Sequence, residues 1–169
     1  MVETNSSPAP TATEPEPTLP PEPRVEGRLI LPTADFDEPI AEGHVEPDSH
    51  GVIAPRTRTE TVEARWGQDA TVLLVHSDGS GPAPGDSLVT GKDGEPTVKP
   101  GDSATLPDGS EGVVGRVQIA PKSGLPEWFW DAVYDPTNRS TYLVTCQPQE
   151  GRASSTSNVI VEITPAESE

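Results

Sequence analysis

The sequence predicts an all-β protein: roughly eight short strands in a closed or nearly closed barrel, with one or two short helices and an irregular N-terminal arm. Three observations carry this prediction. Apolar residues make up only 31% of the 169 positions, while proline (21) and glycine (15) are abundant, a mix that suits a small core, many turns and some disorder. Runs free of proline and glycine are too few for long helices. What remains is a series of short β-rich segments punctuated by turn residues, and a barrel pairs them without leaving exposed edges.

Residues 1–24 are rich in Pro, Thr and Glu, with almost nothing to bury. They read as a disordered or polyproline-like arm, either a spacer or a tether that binds a partner. The barrel domain is expected over 25–165, with a short tail over 166–169. Within the domain, Arg28–Pro32 is an apolar run stopped by proline, and Phe36–Ile40 and Gly51–Pro55 are further extended pieces. Thr59–Trp66 alternates moderately. Ala70–His76 is the strongest strand, and its continuous apolar run predicts burial of both faces. Ser87–Thr90 reads as a short strand. Ser103–Leu106 and Gly112–Ile119 flank an Asp108-Gly109 hairpin turn, with Val113, Val117 and Ile119 expected on one face. Pro126–Tyr134 holds Trp128, Phe129, Trp130 and Tyr134 and reads as one or two turns of helix. Thr141–Cys146 and Asn158–Ile163 close the series.

Charge excludes some functions. The net charge of −17 repels nucleic acid, whose binding rests on phosphate neutralisation by Lys and Arg, and disfavours anionic membrane surfaces. No apolar stretch reaches 18 residues, so no transmembrane segment is expected, and no signal peptide is visible at the N-terminus. One cysteine forms no internal disulfide, and no Cys/His cluster has zinc spacing; no metal or cofactor is expected. Cys146 is therefore either a small buried hydrophobe or a reactive thiol.

Two strands end in groups suited to nucleophilic chemistry, His76 and Cys146. Both lie where a strand gives way to a loop, so both side chains are able to reach one rim of a barrel. An imidazole near a thiol holds it as thiolate or deprotonates it on demand. The order of features then resembles the sortases, cysteine transpeptidases of Gram-positive surfaces. Arg28–Pro32 with Phe36–Ile40 is similar to the family's opening strands, and Gly51–Pro55 to the next. Thr71–His76 resembles the strand ending in the catalytic histidine, Lys99–Asp102 the Pro-Gly-Asp turn that follows, and Leu143–Cys146 the Leu-x-Thr-Cys signature. The Pro-rich arm makes class E-type actinobacterial sortases the most similar group.

The resemblance implies that Cys146 attacks a Thr–Gly bond of a sorting-motif peptide and that an amine acceptor, or water, resolves the thioacyl enzyme. His76 is implied as general acid and base. Thr145 of the signature is implied in substrate binding, as are the aromatics Trp128, Trp130 and Tyr134, whose other reading is a helix packed on the barrel. The sequence departs from the family in three places. The arginine expected ten to thirteen residues after the cysteine is absent: Thr156 or Ser157 stands there, and Arg152 in the preceding loop is the candidate substitute. Val75 replaces the glycine usual before the histidine and is expected to crowd the cleft or restrict the backbone. No membrane anchor is visible. These departures keep open an alternative, a catalytically impaired sortase-fold binding or structural module, for instance a virion component, whose arm contacts assembly partners. A cell-surface location is expected if the chain is part of a longer anchored protein, and a cytoplasmic or virion-associated one if Met1 is the native start.

Overall fold

The computed structural model describes residues 27–66, 70–78, 83–151 and 155–167. The predicted arm over 1–24 and the last two residues of the tail lie outside them. Eight strands form a closed barrel: β1 (Arg28–Leu31), β2 (Phe36–Val45), β3 (Thr61–Ala64), β4 (Thr71–Leu74), β5 (Ser103–Thr105), β6 (Glu111–Pro121), β7 (Thr141–Cys146) and β8 (Ser157–Pro165). Their order around the barrel is β1-β2-β3-β4-β7-β8-β6-β5, closed by the Ile30–Thr105 pairing of β1 with β5. One helix of two turns, α1 (Glu127–Val133), lies outside the sheet.

Local sequence explains the elements. Pro32 stops β1 and opens a 3-10 turn over Pro32–Ala34, and Asp35 takes a left-handed conformation at φ 51° to let β2 return. The continuous apolar run of β4 is buried on both faces, with Val72, Leu73, Leu74 and Val75 all at 6% exposure or less. Leu73 and Val75 point into the barrel with Leu143, Val159 and Val161. Val72 and Leu74 point outward, where Tyr142, Val144 and Ile160 join them beneath Phe129 and Val133 of α1. Phe129 and Val133 stand at i and i+4, the spacing that puts two side chains on one helix face.

Three local expectations are corrected. Gly51–Pro55 is irregular chain rather than a strand, and Ser87–Thr90 falls in a 3-10 helix (Pro84–Leu88) followed by one bridge, Val89 to Pro96. Pro55 at the end of Gly51–Pro55 lacks a donor that a ladder needs, and Pro84 opens the 3-10 turn that takes up Ser87 and Leu88. Val113 does not share the face of Val117 and Ile119. The ladder with β8 shifts between Val114 and Arg116, leaving Gly115 as an extra residue. Such a bulge reverses which residues point inward, so Val114 is buried at 1% and Val113 is 37% exposed.

Phe129 joins the helix to the sheet. It is fully buried and meets Tyr142 edge to face, with ring centroids 5.6 Å apart. Phe129→Ala is expected to lower the unfolding free energy by about 3–5 kcal/mol, the range for emptying a buried aromatic site, read from urea denaturation. Burial also pushes the Tyr142 phenol above its ordinary pKa. Its hydroxyl donates to Glu162 Oε1 at 3.1 Å and accepts from Asn138 Nδ2 at 2.7 Å. The unfolded chain then ionises first, so stability is intact below pH about 10 and declines as pH rises above it. Tyr142→Phe is expected to flatten that alkaline decline in denaturation curves recorded from pH 8 to 11.

Candidate active site

Three neighbouring strands bring polar side chains to one rim. β4 and β7 run parallel, with Leu74 level with Val144, so both end at the same edge of the barrel. β8 runs antiparallel to β7, with Val144 opposite Ile160 and Cys146 opposite Asn158, so it begins at that edge. Side chains alternate along a strand. Leu74, Val144 and Ile160 form an outward apolar row. Two positions further toward the rim stand His76, just past the end of β4, and Cys146 and Asn158 on their strands; all three share a cavity of about 570 Å³. That volume suits a peptide segment or other small ligand.

The residues between them fix the frame. Thr145 faces inward, 2% exposed, and its hydroxyl donates to the Val75 carbonyl at 3.0 Å. The Val75 amide in turn donates to the Val144 carbonyl at 3.2 Å. The bonds tie the residue before His76 to the two residues before Cys146. Below them the Gly85 amide donates to the His76 carbonyl at 2.7 Å. A Cβ at Gly85 would overlap both the Thr145 hydroxyl and the His76 carbonyl, so only glycine fits. Asp86 holds the loop beyond His76, its Oδ1 accepting from the Ser77 hydroxyl at 3.0 Å and the Asp78 amide at 2.7 Å.

Trp66 and Trp130 line the cavity together with Leu125. The two indoles meet edge to face at 5.4 Å. No Asp or Glu lines the cavity among the described residues, despite the acidity of the chain, and Lys122 is the one Lys or Arg that does. Neither the His76 ring, the Cys146 thiol nor the Asn158 carboxamide hydrogen-bonds to a described residue. Each is available to a ligand. No group of His, Cys, Asp and Glu able to hold a metal ion occurs among the described residues.

The expected site residues separate into two groups. Cys146, His76, Trp130 and Thr145 come together at the cavity. Thr145 does so with its hydroxyl committed to the barrel frame. Trp128 and Tyr134 are not among the residues lining it. Trp128 donates to Gln118 Oε1 at 2.8 Å and lies 4.2 Å beneath the Arg116 guanidinium. Tyr134 is 50% exposed, stacks on Trp130 and donates to the Trp66 carbonyl at 3.2 Å. The helix thus presents Trp130 to the cavity and Trp128 to β6. Arg152 lies outside the described residues. Val75, expected to crowd the cleft or restrict the backbone, is 3% exposed, packs with the barrel core and also lines the cavity.

Sequence reasoning missed Trp66, Lys122 and Asn158. It placed Thr156 or Ser157 where the family has its arginine, whereas the residue opposite Cys146 in the ladder is Asn158. Register between β7 and β8 is set by their pairing and not by the number of residues that connects them.

The barrel with this rim defines a class of fold. Its eight strands and single helix match the sortases. A solved lid mutant of sortase A from Corynebacterium diphtheriae aligns at TM-score 0.56 and 20% identity over 86% of this chain and 72% of that one. Sortase A from Listeria monocytogenes aligns at 0.56 and 14% over 85% and 88%, respectively. Sortase C-1 from Actinomyces oris aligns at 0.56 and 19% over 83% and 73%. At these identities the likeness shows the fold. No family model and no curated protein matches the sequence.

The frame beneath the rim is open to test. Gly85→Ala is expected to destabilise the protein by about 1–3 kcal/mol, the usual effect of overpacking, and to shift the His76 backbone amide resonance. Thr145→Val leaves the buried Val75 carbonyl without its side-chain donor and is expected to remove about 1–3 kcal/mol, measured by urea denaturation.

Proposed function

We propose that the protein is a sortase-type cysteine transpeptidase with Cys146 as nucleophile and His76 as its acid and base. The observation that carries this reading is the shared cavity of His76 and Cys146 at the ends of two parallel strands, within a sortase fold. His76 takes the Cys146 proton, and the thiolate attacks the carbonyl carbon of the scissile amide. The C–S bond forms as the carbonyl pair moves onto oxygen. Collapse of that oxyanion expels the amine, which leaves with the proton held by His76. An incoming amine then attacks the thioester, gives its proton to His76 and releases Cys146. Water in the same role gives hydrolysis.

The substrate in this reading is a sorting-motif peptide with a Thr–Gly bond, and the acceptor is an amine. The apolar wall of Trp66, Trp130 and Leu125 suits an uncharged peptide side chain. The class E-type affinity, with a Pro-rich arm ahead of the barrel, belongs to the same proposal, as does an extracytoplasmic, cell-surface setting. No helix among the described residues is long and apolar enough to cross a membrane.

One observation favours a second reading. Asn158, not an arginine, faces Cys146, and losing an oxyanion donor costs on the order of 10²–10³ in rate. A sortase-fold binding or structural module, assembled through its arm, would tolerate that loss.

Mass spectrometry separates the two. Incubation with a library of Thr-Gly peptides is expected to leave a hydroxylamine-labile acyl adduct on Cys146, absent in Cys146→Ala. His76→Gln is expected to slow its formation by about 10²–10⁴-fold, the usual share of acid–base catalysis. No adduct across the library, with Cys146 alkylated no faster than a free thiol, rejects the enzyme in favour of the module.

A further inference from the structure

We infer that the Asn158 carboxamide is the side-chain donor to the oxyanion formed at Cys146, an inference that rests on the transpeptidase reading above. The argument begins with the ladder. Gln147 N–H donates to the Ser157 carbonyl at 2.9 Å, and Gln147 lies opposite Ser157 in the register that pairs Cys146 with Asn158. The 147/157 pair is therefore hydrogen-bonded, and Cys146/Asn158, one step along, is a non-hydrogen-bonded pair. In such pairs the Cα atoms stand about 4.5 Å apart and the side chains are at their closest.

Both side chains project to the cavity. A carbonyl carbon bonded to Cys146 Sγ thus carries its oxygen into the space beside Asn158. The carboxamide there is half-buried and makes no hydrogen bond to a described residue, so Nδ2–H is free to donate. A neutral amide suffices for this task, since an asparagine side chain is an established type of oxyanion donor. Lys122 is the one cavity-lining Lys or Arg among the described residues, but it follows the end of β6, is exposed, and does not pair with Cys146. When Cys146 attacks, the electron pair displaced from the carbonyl settles on oxygen, and Asn158 meets it with an N–H bond without transferring the proton.

Two probes of the purified chain test this. Acylation of Cys146 by the 4-nitrophenyl ester of N-acetylthreonine passes through the oxyanion. Alkylation by iodoacetamide does not. Asn158→Leu is expected to slow acylation by about 10²-fold or more, within the range for one lost donor, while alkylation stays within twofold. Asn158→Asp, of the same shape but anionic, is expected to be slower still, an order that a merely structural role does not produce. Wild-type acylation rates in both variants, with Cys146→Ala inert, overturn the role of Asn158 and leave the nucleophile intact. Slowing by Lys122→Met but not by Asn158→Leu also overturns it. Absence of wild-type acylation overturns the transpeptidase reading itself, and this inference with it.

Discussion

The parallel pairing of β4 with β7 is the constraint on which the site depends. Antiparallel neighbours would put the ends of these strands at opposite rims of the barrel. Parallel ones put them at the same rim, so His76 and Cys146 follow Leu74 and Val144 at one level. β8 then adds Asn158 because it starts where β7 stops. A parallel pair needs a long crossover, and here that crossover contains β5, β6 and α1. The covering helix and the wall of the cavity are therefore products of the same topology.

Alternation along β7 divides labour between adjacent residues. Thr145 faces the interior and anchors to Val75, while Cys146 faces outward to the cavity. The same alternation on β4 sends Val75 inward and His76 outward. A buried, hydrogen-bonded residue thus precedes each of these two cavity-lining ones. Rigid support of this kind is what a site needs to hold two groups at a working separation without a direct bond between them.

Much of the fold was legible in the sequence, because its signals are local. The apolar run at 71–75 announced a strand buried on both faces, and the aromatic cluster between Pro126 and Asp135 announced a short helix. Cys146 and His76 were legible for a similar reason: one ends a strong strand and the other follows one closely. What was hidden depends on register. Gly115 gives no local sign that it is the bulged residue, yet it reverses Val113 and Val114. Asn158 looks like an ordinary strand opener until β7 sets it opposite Cys146. The aromatics were read as a group, but helical rotation gives only Trp130 to the cavity and turns Trp128 toward Gln118, while Trp66 arrives from a distant turn.

The bond from Thr145 to Val75 joins residues 70 positions apart in the chain. Contacts of such separation form late, because loop closure must be met before they return any stabilisation. Each half of the site is thus made without the other. A growing chain released only as far as α1 carries the imidazole and no thiol, and the thiol gains its neighbour only when β7 slots between β4 and β8. Formation of the cavity is in this sense coupled to completion of the barrel, and a nascent chain that lacks β7 has no shared cavity for His76 and Cys146 to line.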